Sequence, residues 1–113
     1  MELVGKVYRL SAVLPRSESF GLVNQMRRAG VSVPSNISEG HGRGSNRSFA
    51  LFLRQARGSL NELETQVELC VQQGFAKAGQ CSEILREVDE IGRMLTAFES
   101  ALRRTRLNQE QAS

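Results

Sequence analysis

The sequence predicts an all-α fold, an up-down-up-down antiparallel four-helix bundle. Three observations carry this. Leu, Ala, Arg, Glu and Gln dominate the 113 residues and Pro occurs only twice, a mixture that favours helix over strand. Apolar residues recur at spacings of four and three in four separate runs, the period of helices that bury one seam and cross at about 20°. The connections between the runs are short, which sets sequence neighbours antiparallel.

The first helix spans about 2–14. Its seam is Leu3, Val7, Leu10 and Leu14, and Pro15 ends it. The second spans about 18–40, with Ser17 as its cap and Glu18 in its first turn. Its apolar positions are Leu22, Met26, Ala29, Val33 and Ile37, and the run Gly40-His41-Gly42-Arg43-Gly44 stops it. Pro34 lies inside this helix, removes one backbone donor and crowds the carbonyl of Gly30. The chain there is either kinked or broken. The third helix, about 46–73, has Ser45 or Asn46 as its cap. It carries the longest seam: Phe49, Leu53, Ala56, Leu60, Leu63, Val67 and Cys70. Gly74 is a suitable left-handed terminator, with Phe75 folding back over the helix end. The fourth helix, about 77–106, has the seam Cys81, Ile84, Val88, Ile91, Leu95, Phe98 and Leu102. Residues 108–113 are polar and expected to fray, so the bundle domain is 1–107.

Composition excludes several classes of function. No apolar stretch approaches the roughly 20 residues of a membrane span. Residues 1–6 lack the basic region and long apolar run of a signal peptide, so a cytoplasmic address is expected. Cys70 and Cys81 form no CxxC and no metal-ligand set with His41, the single histidine. They read as reduced core thiols. They flank the turn between helices 3 and 4, where a redox clasp is conceivable, but the compartment argues against it.

Gly40–Ser45 resembles a phosphate loop only in its glycines. It matches neither GxxxxGK[ST] nor GxGxxG, and no strand precedes it. The loop does lead into the N-terminus of helix 3, where free N–H groups attract anions, beside Arg43 and Arg47. No set of acid, base, nucleophile or metal ligand can be assembled around His41 or Glu39. Glu39 is better suited to backbone donors or an arginine. The expectation is a non-enzymatic protein with no cofactor and no metal.

The charge is informative. Residues 1–58 carry nine Lys/Arg and three Glu, and residues 59–113 carry six Lys/Arg and nine Asp/Glu. So lopsided a chain fits a polyanionic partner, or subunits meeting basic end to acidic end. On helix 3, Arg47, Arg54, Asn61 and Glu68 share one stripe, with Arg57 and Glu64 on the next. Bases first and acids last opposes the helix dipole. A bound polyanion, a neighbouring subunit or glutamates on an adjacent helix would compensate. Arg27, Arg28, Arg43, Arg47, Arg54 and Arg57 are the candidate phosphate contacts. Surface aromatics are not clustered, which argues against base stacking. Leu51, Phe52, Gly58 and Leu69 lie on or beside the side of helix 3 away from its seam. Apolar residues there, and a glycine that costs about 1 kcal/mol in a helix, point to an oligomer interface.

Several segments form a specific set: Val7-Tyr8, Leu14-Pro15 with Glu18, Gly21-Leu22, Gln25, and Arg27-Arg28-Ala29. Ser32, Asn36-Ile37-Ser38-Glu39-Gly40 and Arg43 follow. Phe49, Phe52-Leu53, Ala56-Arg57-Gly58-Ser59-Leu60 and Glu62-Leu63-Glu64 complete it. Together they resemble the bacterial four-helix-bundle family, also called rRNA intervening-sequence proteins. Ser38 and Gly30 depart from the family pattern, and the N-terminal helix is shorter than is usual. The resemblance implies a homopentameric ring of bundles with a basic surface and no established enzymatic activity. It marks Asn36, Glu39, Gly40, Gly58 and Ser59 as structural signature residues. A related group serves diversity-generating retroelements, where a similar pentamer binds reverse transcriptase and nucleic acid.

Two functions follow as expectations. The first is an oligomeric binding protein that contacts RNA or DNA phosphates through a basic surface. The second is a protein-interaction scaffold in which the arginines pair with Glu64, Glu68, Glu87 or Glu90 of neighbouring subunits and a protein partner.

Overall fold

The computed structural model describes residues 1–18 and 20–112. Four helices follow one another: α1 (Leu3–Ala12), α2 (Leu22–Gly42), α3 (Asn46–Gln72) and α4 (Ala78–Ala112). A single 3₁₀ turn, Arg16–Glu18, sits between α1 and α2. Among the described residues there is no strand, and no helix is long and apolar enough to cross a membrane. The bundle measures 58 × 22 × 18 Å. α3 packs against α2 and α4, and α1 closes the fourth side against α2 and α4.

The seams pack as their spacing requires. Leu3, Val7, Leu10 and Leu14 of the first segment meet Met26, Ala29 and Val33 of α2 in one core. Leu53, Ala56, Leu60, Leu63, Val67 and Cys70 of α3 join Cys81, Ile84, Val88, Ile91 and Leu95 of α4 there. The α3–α4 turn also forms as its sequence requires. Gly74 has φ +69°. The Gly74 N–H donates to the Val71 carbonyl and the Phe75 N–H to the Cys70 carbonyl, the paired bonds of a Schellman turn. Phe75 then packs on the core. At the start of α3 the cap is Ser45, whose Oγ accepts from the Ser48 N–H at 3.1 Å.

Four details differ from the sequence expectation. Ser17 caps nothing. It lies in the 3₁₀ turn, and α2 starts only at Leu22 behind Gly21, with no side-chain cap. Val23 lies in the core there, and Leu22 is half-buried. α2 passes through Pro34 without a break and continues to Gly42, so Gly40 and Gly42 are helical rather than loop, and of these glycines only Gly44, at φ +77°, lies between α2 and α3. α4 remains helical to Ala112, beyond the end near Arg106, across most of the tail expected to fray; Ser113 lies outside the described residues. Finally, Phe98 stays 38% exposed although it continues the α4 seam. The register explains this. Lys6 Nζ lies 2.8 Å from a Glu87 carboxylate oxygen and 3.9 Å from one of Glu83. That places the ten residues of α1 against the first third of the 35-residue α4. Beyond about Leu95 the bundle has three helices, not four.

The Lys6–Glu87 pair holds that register. Glu87 and, to a lesser degree, Glu83 and Glu2 raise the Lys6 ammonium above its ordinary value, against the opposing pull of desolvation. Cys70 and Cys81 are both free and fully buried, and Cys70 Sγ contacts Met26 Sδ at 3.7 Å. Burial is the main cause that pushes the Cys70 thiol up to about 11 and raises Cys81 as well. A thiol at about 11 is ionised in only about one molecule in a thousand at pH 8. Native protein should therefore show no fast-reacting thiol with a disulfide reagent at that pH, and both should appear together once urea unfolds the chain.

Candidate functional site

Three of the six candidate arginines are engaged within the fold. Arg27 Nε donates to Ser11 Oγ at 2.8 Å, and its guanidinium lies 4.7 Å from the Tyr8 ring centroid. It therefore ties α2 to α1. Arg43 donates to Glu39 Oε1 at 3.0 and 2.8 Å and covers the Phe52 ring. Glu39 pairs with an arginine, as its chemistry suggested. Arg57 Nε and Nη2 donate to Glu99 Oε1 at 3.0 and 2.6 Å, and Nη2 also donates to Thr96 Oγ1 at 2.9 Å. A glutamate on the adjacent helix thus compensates the misplaced charge of Arg57.

Because its pair with Glu99 is only about one-third exposed, Arg57→Ala should lower stability by about 1–2 kcal/mol. It should leave any polyanion affinity nearly unchanged. Arg54→Ala should do the reverse. Urea unfolding and binding titrations on the two variants separate these roles.

The remaining arginines define the site. Arg47 and Arg54, both exposed on α3, face Arg103 and Arg106 of α4 across an open cleft of about 760 Å³. Asn46, Ala50, Leu102 and Gln109 complete its walls. Arg47 and Arg54 have no hydrogen bond or ion pair among the described residues. Arg103 makes an exposed bond to Ser100 Oγ at 3.2 Å, and Arg106 reaches Glu110 only at 4.0 Å. Exposed contacts of this kind are worth little. Among the described residues the one acid lining the cleft, Glu99, is already held by Arg57. Four guanidinium groups with little internal neutralisation converge there. Arg103 and Arg106 do not stand out in the sequence because they sit in the acidic half of the chain, where a half-by-half balance hides a local basic cluster at 103–106.

Arg28 stands apart, in a second groove of about 650 Å³ between α2 and α3. Gln25, Ala29, Ser32, Ser59, Glu62 and Gln66 line it with Arg28. Its floor is a hydrogen-bonded chain. Asn36 Nδ2 donates to the Ser32 carbonyl and to Ser32 Oγ, each at 2.8 Å, and Ser32 Oγ meets Ser59 Oγ at 2.8 Å. The Ser32–Ser59 contact joins α2 to α3, and Asn36 braces Ser32 from within α2.

Gly40 is structural for a different reason. A Cβ on it would stand 2.6 Å from Phe52 Cβ and 3.2 Å from Phe49 Cδ1. Phe52 is accordingly half-buried against α2 rather than turned outward as an interface residue. Leu51 and Leu69 do face outward, 48% and 39% exposed, and a Cβ on Gly58 would meet nothing within 4 Å. His41 meets Phe49 edge-on at 5.9 Å, and Phe49 lies 5.9 Å from the partly exposed Phe98. Nothing in the spacing brings these three together, because they come from three helices.

A family model described as 23S rRNA-intervening sequence protein matches residues 1–97. A solved structure is similar in fold, with a TM-score of 0.80 at 25% identity over 87% of this chain and 92% of that one. It is described as a protein with unknown function from the S23 ribosomal protein family of Bacteroides thetaiotaomicron VPI-5482. No curated protein sequence matches the chain.

Proposed function

Given that the chain belongs to the 23S rRNA-intervening sequence protein family, we propose that it is a non-enzymatic, self-associating protein that binds nucleic acid along the α3–α4 cleft. The observation that carries this reading is the convergence of Arg47, Arg54, Arg103 and Arg106 on one cleft where Glu99, the one lining acid among the described residues, is already paired. Guanidinium groups bind phosphate by paired, charge-assisted bonds. A row of them reads the backbone rather than the sequence. Among the described residues no group of three or more His, Cys, Asp or Glu could hold a metal.

Self-association belongs to the same proposal. The three-helix end leaves Met94 and Phe98 exposed, 37% and 38%, and copies of the chain joined there leave the outer side of α3 free.

The scaffold reading is favoured by one observation of its own. Leu51, Gly58 and Leu69 form an outward strip on α3 that no other helix of the chain covers. In that reading copies meet through the strip, and Arg47 and Arg54 pair with Glu64, Glu68 or Glu90 of a neighbour. Glu87 is not available, because Lys6 holds it.

Fluorescence anisotropy with RNA and DNA oligomers across a salt series tests the first reading. Four phosphate contacts to a single strand give a slope of about −2.8 in log K against log salt. Affinity should then fall about fifty-fold between 50 and 200 mM salt. Absence of binding at low salt, with an oligomer that dissociates on reversing Arg54, would favour the scaffold.

A further inference from the structure

We infer that the bound nucleic acid is a single strand that leaves the arginine cleft across Gly58 and places one base, a guanine, in the polar groove between α2 and α3. The inference rests on the nucleic-acid reading above and adds to it a path and a base-reading site.

The path follows from helix geometry. Arg54, Gly58, Glu62 and Gln66 are spaced by four, so they form one ridge that winds slowly around α3. Its first member lines the arginine cleft and its last two line the second groove. The crest between them is Gly58, exposed and with nothing within 4 Å of where a side chain would begin. Eight residues of helix rise about 12 Å from Arg54 to Glu62, a distance of about two nucleotides of extended strand. A glycine at the crest lowers the ridge where a backbone has to cross it. A duplex cannot follow this path, because a groove between two packed helices, whose axes lie about 8–10 Å apart, is too narrow to admit it. Single strands can also present unpaired base edges.

The groove is built to pair with something. Gln66 is 9% exposed, and its Oε1 is buried without a hydrogen-bond partner. An acceptor left so is costly, by about 1–3 kcal/mol. Glu62 adds a carboxylate and Arg28 a guanidinium, neither with a hydrogen bond or ion pair among the described residues. The site therefore offers two neighbouring acceptors and one strong donor. The Watson–Crick edge of guanine is the complement: N1–H and N2–H donate, and O6 accepts. Adenine and cytosine each present a single donor group on that edge, and uracil one N–H between two carbonyls.

The test uses the full chain and labelled uridine oligomers carrying one central guanosine, or adenosine or cytidine in its place. The expected result is about tenfold tighter binding of the guanosine oligomer. Glu62→Ala and Gln66→Met should each erase that preference while keeping the salt slope, since they touch no phosphate. Gly58→Leu should weaken all the oligomers about tenfold, with the helical circular dichroism signal unchanged.

If no oligomer binds at low salt, the nucleic-acid reading itself fails. If all bind equally, or the preference survives both groove substitutions, the guanine site is wrong and the arginine cleft stands. If Gly58→Leu changes only the oligomeric state in light scattering, the crest is a contact between copies and the path is overturned.

Discussion

Gly40→Ala should destabilise the protein although alanine is the better helix former. A methyl group there would lie 2.6 Å from Phe52 Cβ and 3.2 Å from Phe49 Cδ1. The first neighbour is rigid, because Cβ moves only with the α3 backbone. Relief requires α2 and α3 to separate locally, at the most extensive helix–helix contact in the bundle. Overpacking of this kind costs about 1–3 kcal/mol, occasionally more. The gain in helix propensity returns less than about 1 kcal/mol. A net loss of about 1–2 kcal/mol should lower the melting temperature by about 4–10 °C in a domain of this size. Thermal unfolding by circular dichroism reads this directly. Phe52→Ala should not rescue Gly40→Ala, because alanine keeps the clashing Cβ. Gly58→Ala is the matched control: its new methyl meets nothing within 4 Å, so it should be neutral or slightly stabilising. Equal stability of Gly40→Ala and the parent would show that the two helices do not approach this closely.

Replacing both Arg54 and Arg103 by Glu should abolish most of the nucleic-acid affinity and leave the fold intact. Both side chains are exposed, and neither holds an ion pair among the described residues, so little stability is at stake. Loss of two of four phosphate contacts should halve the salt slope to about −1.4. At 0.1 M salt the lost counterion release alone is worth about 25-fold, and the two introduced carboxylates repel the strand further. A total loss of about a hundredfold is expected by anisotropy. The same double substitution made at Arg27 and Arg57 should instead lower the unfolding midpoint, because those arginines hold α1 to α2 and α3 to α4. An unchanged affinity and slope in the Arg54/Arg103 variant would remove the cleft as the binding site.

How far the site could be read from the chain varied with the residue. Arg47 and Arg54 belong to a helix whose buried seam is unambiguous, so their outward placement follows from angular spacing alone. Whether an arginine stays available is a different question. Arg57 and Arg54 differ by three positions, yet one meets Glu99 and the other meets no acid. That outcome depends on the register of α4, which no local pattern states. The cleft's far wall, Arg103 and Arg106, is 49 or more residues from Arg54 in sequence and becomes its neighbour only through the antiparallel turn at Gly74. Gly40 was legible as a signature position but not as a contact. A residue without a side chain contributes nothing to apolar periodicity, even when it faces the core.

By itself the chain determined that it forms four helices, which face of each is buried, and how the α3–α4 turn closes, because these depend on spacing and on backbone preferences within a few residues. Only the tertiary structure decided where α2 begins, that α1 covers one end of α4 and not the other, and which arginines remain free. Those features depend on how far one helix slides along the next, and the position is chosen by contacts between residues far apart in sequence, Lys6 with Glu87 and Arg57 with Glu99 among them.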